Sequence, residues 1–160
     1  MGTGDETLTT RGYVVRDEPG WRWKANGREN EGRFDLLVID HVAYGSGPPL
    51  HVHAMQEDSF FVVEGVLTVQ LDGEIVEVGP GDFATAPPGV GHSFTNARLD
   101  QPACRVVNLM TPGTGFDRYL EQLGQLAASG DHESIEALNA AFGVTVVGPS
   151  VADRLGLSPA

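Results

Sequence analysis

The sequence predicts an all-β barrel or sandwich with short helices packed after it. Two observations carry this. From residue 34 to residue 111 the chain is a series of strand-length apolar runs, broken at short intervals by Gly and Pro turns, the pattern of a sheet that folds over itself. After Pro112 the spacing of apolar residues changes to the three-to-four-residue period of helices. At 160 residues one domain is expected, and that is enough chain to enclose a core.

The elements follow in order. Residues 1–12 are polar and rich in Thr and Gly, and are expected to fray. The barrel is expected over residues 13–112 and a helical extension packing on it over 113–160. Tyr13-Val-Val-Arg16 is a strand candidate. Trp21-Arg-Trp23-Lys24 alternates aromatic with basic, as an extended segment with one buried face does; docking on the barrel explains the two tryptophans better than ligand contact. Asn26-Gly27 and Glu31-Gly32 read as turns. Residues 34–44 form a strand with a nearly continuous apolar centre, and Pro48-Pro49 fixes an extended lead into His51. Residues 59–64 and 66–71 are expected to pair as a hairpin around Glu64-Gly65. Asp72-Gly73 is a two-residue hairpin turn into residues 74–78. A turn at residues 79–82 leads to a short strand from Phe83, and Pro87-Pro88-Gly89 turns the chain into a strand opening at His92. Beyond Pro112, the residues Phe116, Tyr119, Leu120, Leu123, Leu126 and Ala127 have helical spacing, weakened midway by Gly124. Residues 134–142 make a second helix ending at Gly143, and residues 151–156 a last turn. These helices are expected to cover one end of the barrel as a packing lid, with a gate to the barrel's interior as the alternative.

Three of the five histidines, His51, His53 and His92, fall in two short blocks. His51 and His53 are two apart, so on an extended chain both point to one face. His92 opens a second alternating run with Phe94 and Asn96. One strand histidine alone is more readily structural. Three at these spacings, with a carboxylate nearby, make a site for one borderline divalent transition metal such as Fe, Ni, Co, Cu, Zn or Mn. His41 and His132 lie outside the blocks. His41 is read as an ordinary surface or core histidine, with a supporting role at the site as the alternative, and His132 as an exposed helix terminus.

The two blocks resemble the two motifs of the cupin superfamily, G-x5-H-x-H-x3-4-E-x6-G and G-x5-P-x-G-x2-H-x3-N. The first is matched by Gly45, His51, His53 and Gly65, and the second by Gly81, Pro87, Gly89, His92 and Asn96. The likeness covers roughly residues 34–110. It implies a double-stranded β-helix, the jelly-roll barrel, with a metal in the barrel mouth held by three histidines and a carboxylate. The carboxylate departs from the motif. Asp58 has the six-residue spacing to Gly65 where the family usually has Glu, while Glu57 has the three-residue spacing from His53. A one-residue step along a strand flips the side chain to the other face. Asp58 shares parity with Phe60 and Val62, which are read as inward, and is favoured as the ligand; Glu57 is the alternative, and three histidines without a close carboxylate the third arrangement.

The flanks, Pro48-Pro-Leu-His51, Thr111-Pro-Gly-Thr-Gly-Phe116 with Tyr119, and Val144-Thr-Val-Val-Gly-Pro149, resemble the quercetinase-like monocupins. This resemblance implies a metal-dependent dioxygenase and a homodimer. Its partners would be dioxygen and a small aromatic or enol-bearing substrate, and Asp58 or Glu57 would serve as catalytic base as well as ligand. Two other readings stay open: a non-oxidative metal-dependent cupin (isomerase, cyclase or decarboxylase), and a non-catalytic small-molecule-binding cupin. Met55, Phe60, Val62, Leu67, Phe83, Phe94 and Met110 are expected to line or back the substrate pocket. An apolar pocket suits such a substrate better than a sugar phosphate, which calls for Arg or Lys.

The formal charge of −12 argues against nucleic acid as a partner and against an anionic membrane surface. No apolar stretch approaches the roughly 18–20 residues of a transmembrane helix. The acidic, polar start is unlike a secretory signal. The single cysteine, Cys104, forms no internal disulfide and is read as a buried small hydrophobe. A cytoplasmic location is the expectation.

Overall fold

A computed structural model describes residues 7–9, 12–14, 21–101 and 103–159. Ahead of the barrel, β1 (Thr7–Thr9) and β2 (Gly12–Val14) form a small antiparallel pair. The frayed segment expected over residues 1–12 therefore contains one strand and the start of another. Its remaining residues, and residues 15 and 16 of the next strand candidate, lie outside the described residues.

The barrel strands are β3 (Trp21–Ala25), β4 (Asp35–Ile39), β5 (Leu50–His53), β6 (Glu57–Glu64), β7 (Leu67–Leu71), β8 (Glu74–Val78), β9 (Phe83–Ala86), β10 (His92–Thr95), β11 (Arg105–Thr111) and β12 (Val144–Gly148). They build two antiparallel five-stranded sheets, ordered β3-β4-β11-β6-β9 and β12-β5-β10-β7-β8. From β4 to β11 the chain passes back and forth between them, which is the eight-stranded jelly roll. The core lies between the sheets: Leu37, Ile39, Phe60, Val62 and Val106 from one meet Leu67, Val69 and Val78 from the other. Trp23 packs against this core.

The two-residue turn at Asp72-Gly73 is present: Leu71 pairs with Glu74, and Asp72 has φ 52. The hairpin expected around Glu64-Gly65 is not. β6 pairs with β9 and β11 while β7 pairs with β8 and β10, so Gly65 is the corner where the chain leaves one sheet for the other. Its φ is 74, and a Cβ there would lie 2.0 Å from the Ala103 carbonyl oxygen, closer than any side chain tolerates. The strand expected over residues 34–44 ends at Ile39 because the chain then crosses between sheets.

The helices are α1 (Phe116–Ser129), α2 (His132–Ala141) and α3 (Val151–Arg154). Gly124 sits inside α1 without breaking it. α2 starts two residues earlier than the apolar pattern suggests because Asp131 caps it, accepting from the Ser134 backbone N–H at 3.1 Å. The extension beyond Pro112 is not only helical. β12 pairs along the free edge of β5, Val144 opposite His53 and Val146 opposite His51. Among the described residues no helix is long and apolar enough to cross a membrane.

One buried carboxylate fixes α1 to the barrel. Asp35, fully buried at the start of β4, accepts from the backbone N–H groups of Gly27 (2.6 Å), Thr114 (2.7 Å), Gly115 (3.2 Å) and Phe116 (3.4 Å). Three of these donors belong to the first turn of α1 or the loop before it, groups that a helix cannot satisfy by itself and where a negative charge is favoured.

Candidate metal centre

The antiparallel pairing of β5 with β10 sets His51 directly opposite His92, and the two-residue step along β5 brings His53 to the same inner face. The ring centroids lie 4.3 Å apart for His51 and His92, 5.2 Å for His53 and His92, and 5.1 Å for His51 and His53. Asp58 reaches them from β6 in the opposite sheet. Its Oδ2 is 3.1 Å from His92 Nε2 and 3.7 Å from His53 Nε2. One ligand atom from each of the four residues lies within 4.8 Å of all the others.

The strand parity read from the sequence separates the two carboxylates. Asp58 is buried among the histidines, whereas Glu57 turns to the other face and accepts from the Thr85 hydroxyl at 2.7 Å. A further residue, missed in the sequence, holds Asp58: the Asn108 amide of β11 donates to Asp58 Oδ1 at 2.5 Å and to the Ser59 carbonyl at 3.0 Å. Its signal was a lone amide in the middle of the apolar run Val106-Val-Asn108-Leu-Met110.

The histidine tautomers follow from backbone contacts. His51 Nδ1 donates to the Pro49 carbonyl at 2.8 Å and His92 Nδ1 to the Val90 carbonyl at 3.0 Å, because a carbonyl can only accept. In the neutral rings this leaves both Nε2 lone pairs for the centre of the cluster, the arrangement metal-binding histidines show; without a metal, His92 donates to Asp58 from Nε2 only when it carries a second proton. His53 Nε2 is buried with no hydrogen-bond partner. Leaving such an atom unpaired costs about 1–3 kcal/mol, and a cation between these residues would remove that cost. Three neutral nitrogens and one carboxylate oxygen match a borderline divalent transition metal.

Electrostatics distinguish the rings. Burial, reinforced by the neighbouring His92, pushes His51 down to about 4. Burial also lowers His53, against the opposing charge of Asp58. For His92 burial acts in the same downward direction, but the hydrogen bond and charge of Asp58 outweigh it and raise the ring above its ordinary value.

A cavity of about 620 Å³ opens over the cluster, with His51, His53, Asp58 and Asn108 at its polar end. This size holds a drug-sized ligand. Leu37, Ile39, Phe94 and Met110 of the barrel line it, and α1 and α2 complete the wall with Phe116, Tyr119, Leu120, Leu123 and Ile135. Among the described residues no Lys or Arg lines it. The helices expected as a packing lid are thus a wall of the cavity itself. Of the pocket residues expected from sequence, Phe94 and Met110 line the space. Phe60, Val62 and Leu67 do not line it but are buried in the core behind it, Phe60 with its ring 5.1 Å from that of Phe94. Phe83 is exposed on the outer face of β9, opposite Phe61, because the inward positions of that strand are Ala84 and Ala86. Met55 is exposed because β5 ends at His53 and the alternation stops there. His41 stands exposed at the cavity mouth, and His132 is the exposed first residue of α2.

Over 123 residues the chain is 32% identical to quercetin 2,3-dioxygenase of Bacillus subtilis (strain 168), a stretch that is 77% of this chain but only 33% of that protein's length. Among solved structures, a conserved protein with a double-stranded β-helix domain from Klebsiella pneumoniae is 20% identical, with a TM-score of 0.48 over 68% of this chain and 91% of that one. KdgF from a Halomonas species is 23% identical, with a TM-score of 0.47 over 70% and 96%. Residues 38–108 match the cupin domain family. With the strand order of a double-stranded β-helix and both histidine motifs on its inner face, residues 38–108 form a cupin domain, within a chain that is similar to quercetin 2,3-dioxygenase over one third of that protein's length.

Proposed function

We propose that this cupin holds one divalent transition metal and oxidises a small aromatic or enol-bearing substrate with dioxygen. The observation that carries the reading is the buried, partnerless His53 Nε2 facing Asp58 and His92 at the polar end of an apolar cavity. His51, His53 and His92 would hold the metal through Nε2, and Asp58 through Oδ2. A metal bound there supplies Lewis acidity that favours the anionic form of an enol or phenol. Asp58 is the catalytic base of the proposal, taking the substrate's hydroxyl proton on its carboxylate, while Asn108 keeps that carboxylate aimed inward. Glu57, committed to Thr85 on the other face, has no part in it. The apolar walls exclude water from the electron-rich anion, and the absence of Lys and Arg among the described lining residues disfavours phosphorylated substrates. A homodimer and a cytoplasmic location accompany the proposal. The former finds support in Phe61, Val63 and Phe83, exposed together on the outer face of β6 and β9, and mass in solution tests it.

The test is metal analysis of untagged protein beside His51→Ala, Asp58→Ala and Glu57→Ala, followed by oxygen uptake with a flavonol. The proposal expects near-stoichiometric metal in the wild type and in Glu57→Ala, a loss in the other two, and oxygen consumed with turnover. Turnover without oxygen uptake means a non-oxidative cupin. Saturable binding without product means a binding protein. A wild type that cannot be loaded with any of the six metals sinks the enzyme reading.

A further inference from the structure

The far wall of the cavity carries one polar pair in otherwise apolar surroundings. The Tyr119 hydroxyl of α1 donates to Asn139 Oδ1 of α2 at 2.9 Å, and both residues line the cavity. This bond occupies the amide oxygen as an acceptor. The amide nitrogen of Asn139 has no hydrogen-bond partner among the described residues, and it is not among the buried unsatisfied atoms, so a free N–H donor borders open space. Burial raises the Tyr119 phenol, which keeps it the neutral donor in the pair and leaves the amide nitrogen as the group on offer.

The pair is joined to the metal centre by two neighbouring rings, the first tilted 56° to His53 and the second stacked on the first. Phe116 lies 5.4 Å from His53, and Tyr119 is stacked on Phe116 at 4.5 Å with 28° between planes. A flat molecule lying along these rings with one end at the histidines extends its other end toward Asn139.

Resting on the metal-site reading above, we infer that Asn139 is a specificity-determining residue, its amide N–H recognising a hydrogen-bond acceptor at the end of a planar aromatic ligand opposite the metal-binding oxygens. Tyr119 is the positioning residue: its hydroxyl fixes the amide so that nitrogen, not oxygen, faces the ligand. The ligand class is a neutral planar aromatic with a metal-binding oxygen at one end and an acceptor atom at the other. A ligand that covers this amide without offering an acceptor leaves it desolvated and unpaired and binds more weakly, which is how a polar group in an apolar pocket discriminates.

The test uses two isosteric probes, 3-hydroxyflavone and its analogue with 4-pyridyl in place of phenyl, which adds one acceptor and no donor. Binding to metal-loaded protein is followed by the absorbance change of the chelating end. The wild type is expected to prefer the pyridyl probe by about three- to tenfold, the worth of one hydrogen bond. Asn139→Asp still accepts from Tyr119 and so keeps the helix–helix bond, but it has no N–H to offer; the preference is expected to vanish there and in Asn139→Leu, with metal content unchanged. Equal binding of both probes by the wild type, or a preference that survives in Asn139→Asp, overturns the inference while leaving the metal site standing. Binding of neither probe by metal-loaded wild type overturns the inference together with the reading beneath it.

Discussion

Asp35→Asn tests how α1 is held against the barrel. The substitution keeps the side chain's shape but turns one carboxylate oxygen into an NH2 group. Each oxygen of Asp35 accepts from two backbone N–H groups, Oδ1 from Gly27 and Gly115 and Oδ2 from Thr114 and Phe116. Whichever oxygen is replaced, two bonds are lost and two buried donors face another donor. Bonds to a charged acceptor contribute about 1.5–3 kcal/mol each. Discounting the two long contacts, the loss is on the order of 3 kcal/mol. For a chain of this size that lowers Tm by roughly 6–12 °C. Calorimetry of the metal-stripped protein reads the shift, and hydrogen exchange locates it: amides of α1 should lose protection before those of the strands. Because Phe116 forms the cavity wall beside His53, flavonol binding should weaken as well. A Tm within about 2 °C of wild type would refute the reasoning, since four bonds to one buried carboxylate cannot then be holding the helix.

Three further outcomes follow from the site. Asn108→Ala frees Asp58 to rotate and should weaken metal binding about 10-fold to 100-fold, measured by competition with a chelating dye; unchanged affinity would mean that Asn108 does not hold the ligand. His53→Leu should abolish metal uptake yet leave the metal-free protein as stable as wild type or more so, because it removes a buried ring whose Nε2 has no partner; urea unfolding of both stripped proteins decides it. The stripped protein should also lose stability on acidification. His51 is pushed down to about 4 from an unfolded value of 6.5, so its contribution is complete above pH 6.5 and is lost as the pH falls toward 4, on the order of 3 kcal/mol in total. His53 acts in the same direction, and His92, raised by Asp58, opposes them. A flat stability profile from pH 7 to pH 4, or one left unaltered by His51→Gln, would contradict this.

Much of the site was legible in the sequence because strand geometry is periodic. The two-residue step from His51 to His53, and the even spacing from Asp58 to Phe60 and Val62, already assign faces, and the structure sets Asp58 and Glu57 on opposite sides as parity requires. What the sequence withheld depends on which strands meet. The segments flanking Gly65 look like a hairpin because both are apolar and separated by Glu-Gly, yet partners are chosen across the whole barrel. Asn108 could not be tied to Asp58 without knowing that β11 and β6 are neighbours. Phe83 and Met55 failed as pocket residues for local reasons: one is out of phase on an edge strand, and the other follows a strand that has already ended. The helical period beyond Pro112 was plain, but not that its inner face borders the same cavity as the histidines.

The pairing of β12 with β5 has a consequence for how the cavity is reached. The chain leaves the barrel after β11, makes the α1–α2 wall, and returns as β12 to the very strand that carries His51 and His53. The wall is therefore an arch with both feet on the barrel, one set in the Asp35 cradle and the other zipped along β5. An arch has no free end to swing. A ligand of this cavity would enter beside the arch, where the exposed His41 borders the space, and cutting the chain after the cupin domain would take away the wall and bare the backbone edge of the strand that carries two of the three histidines.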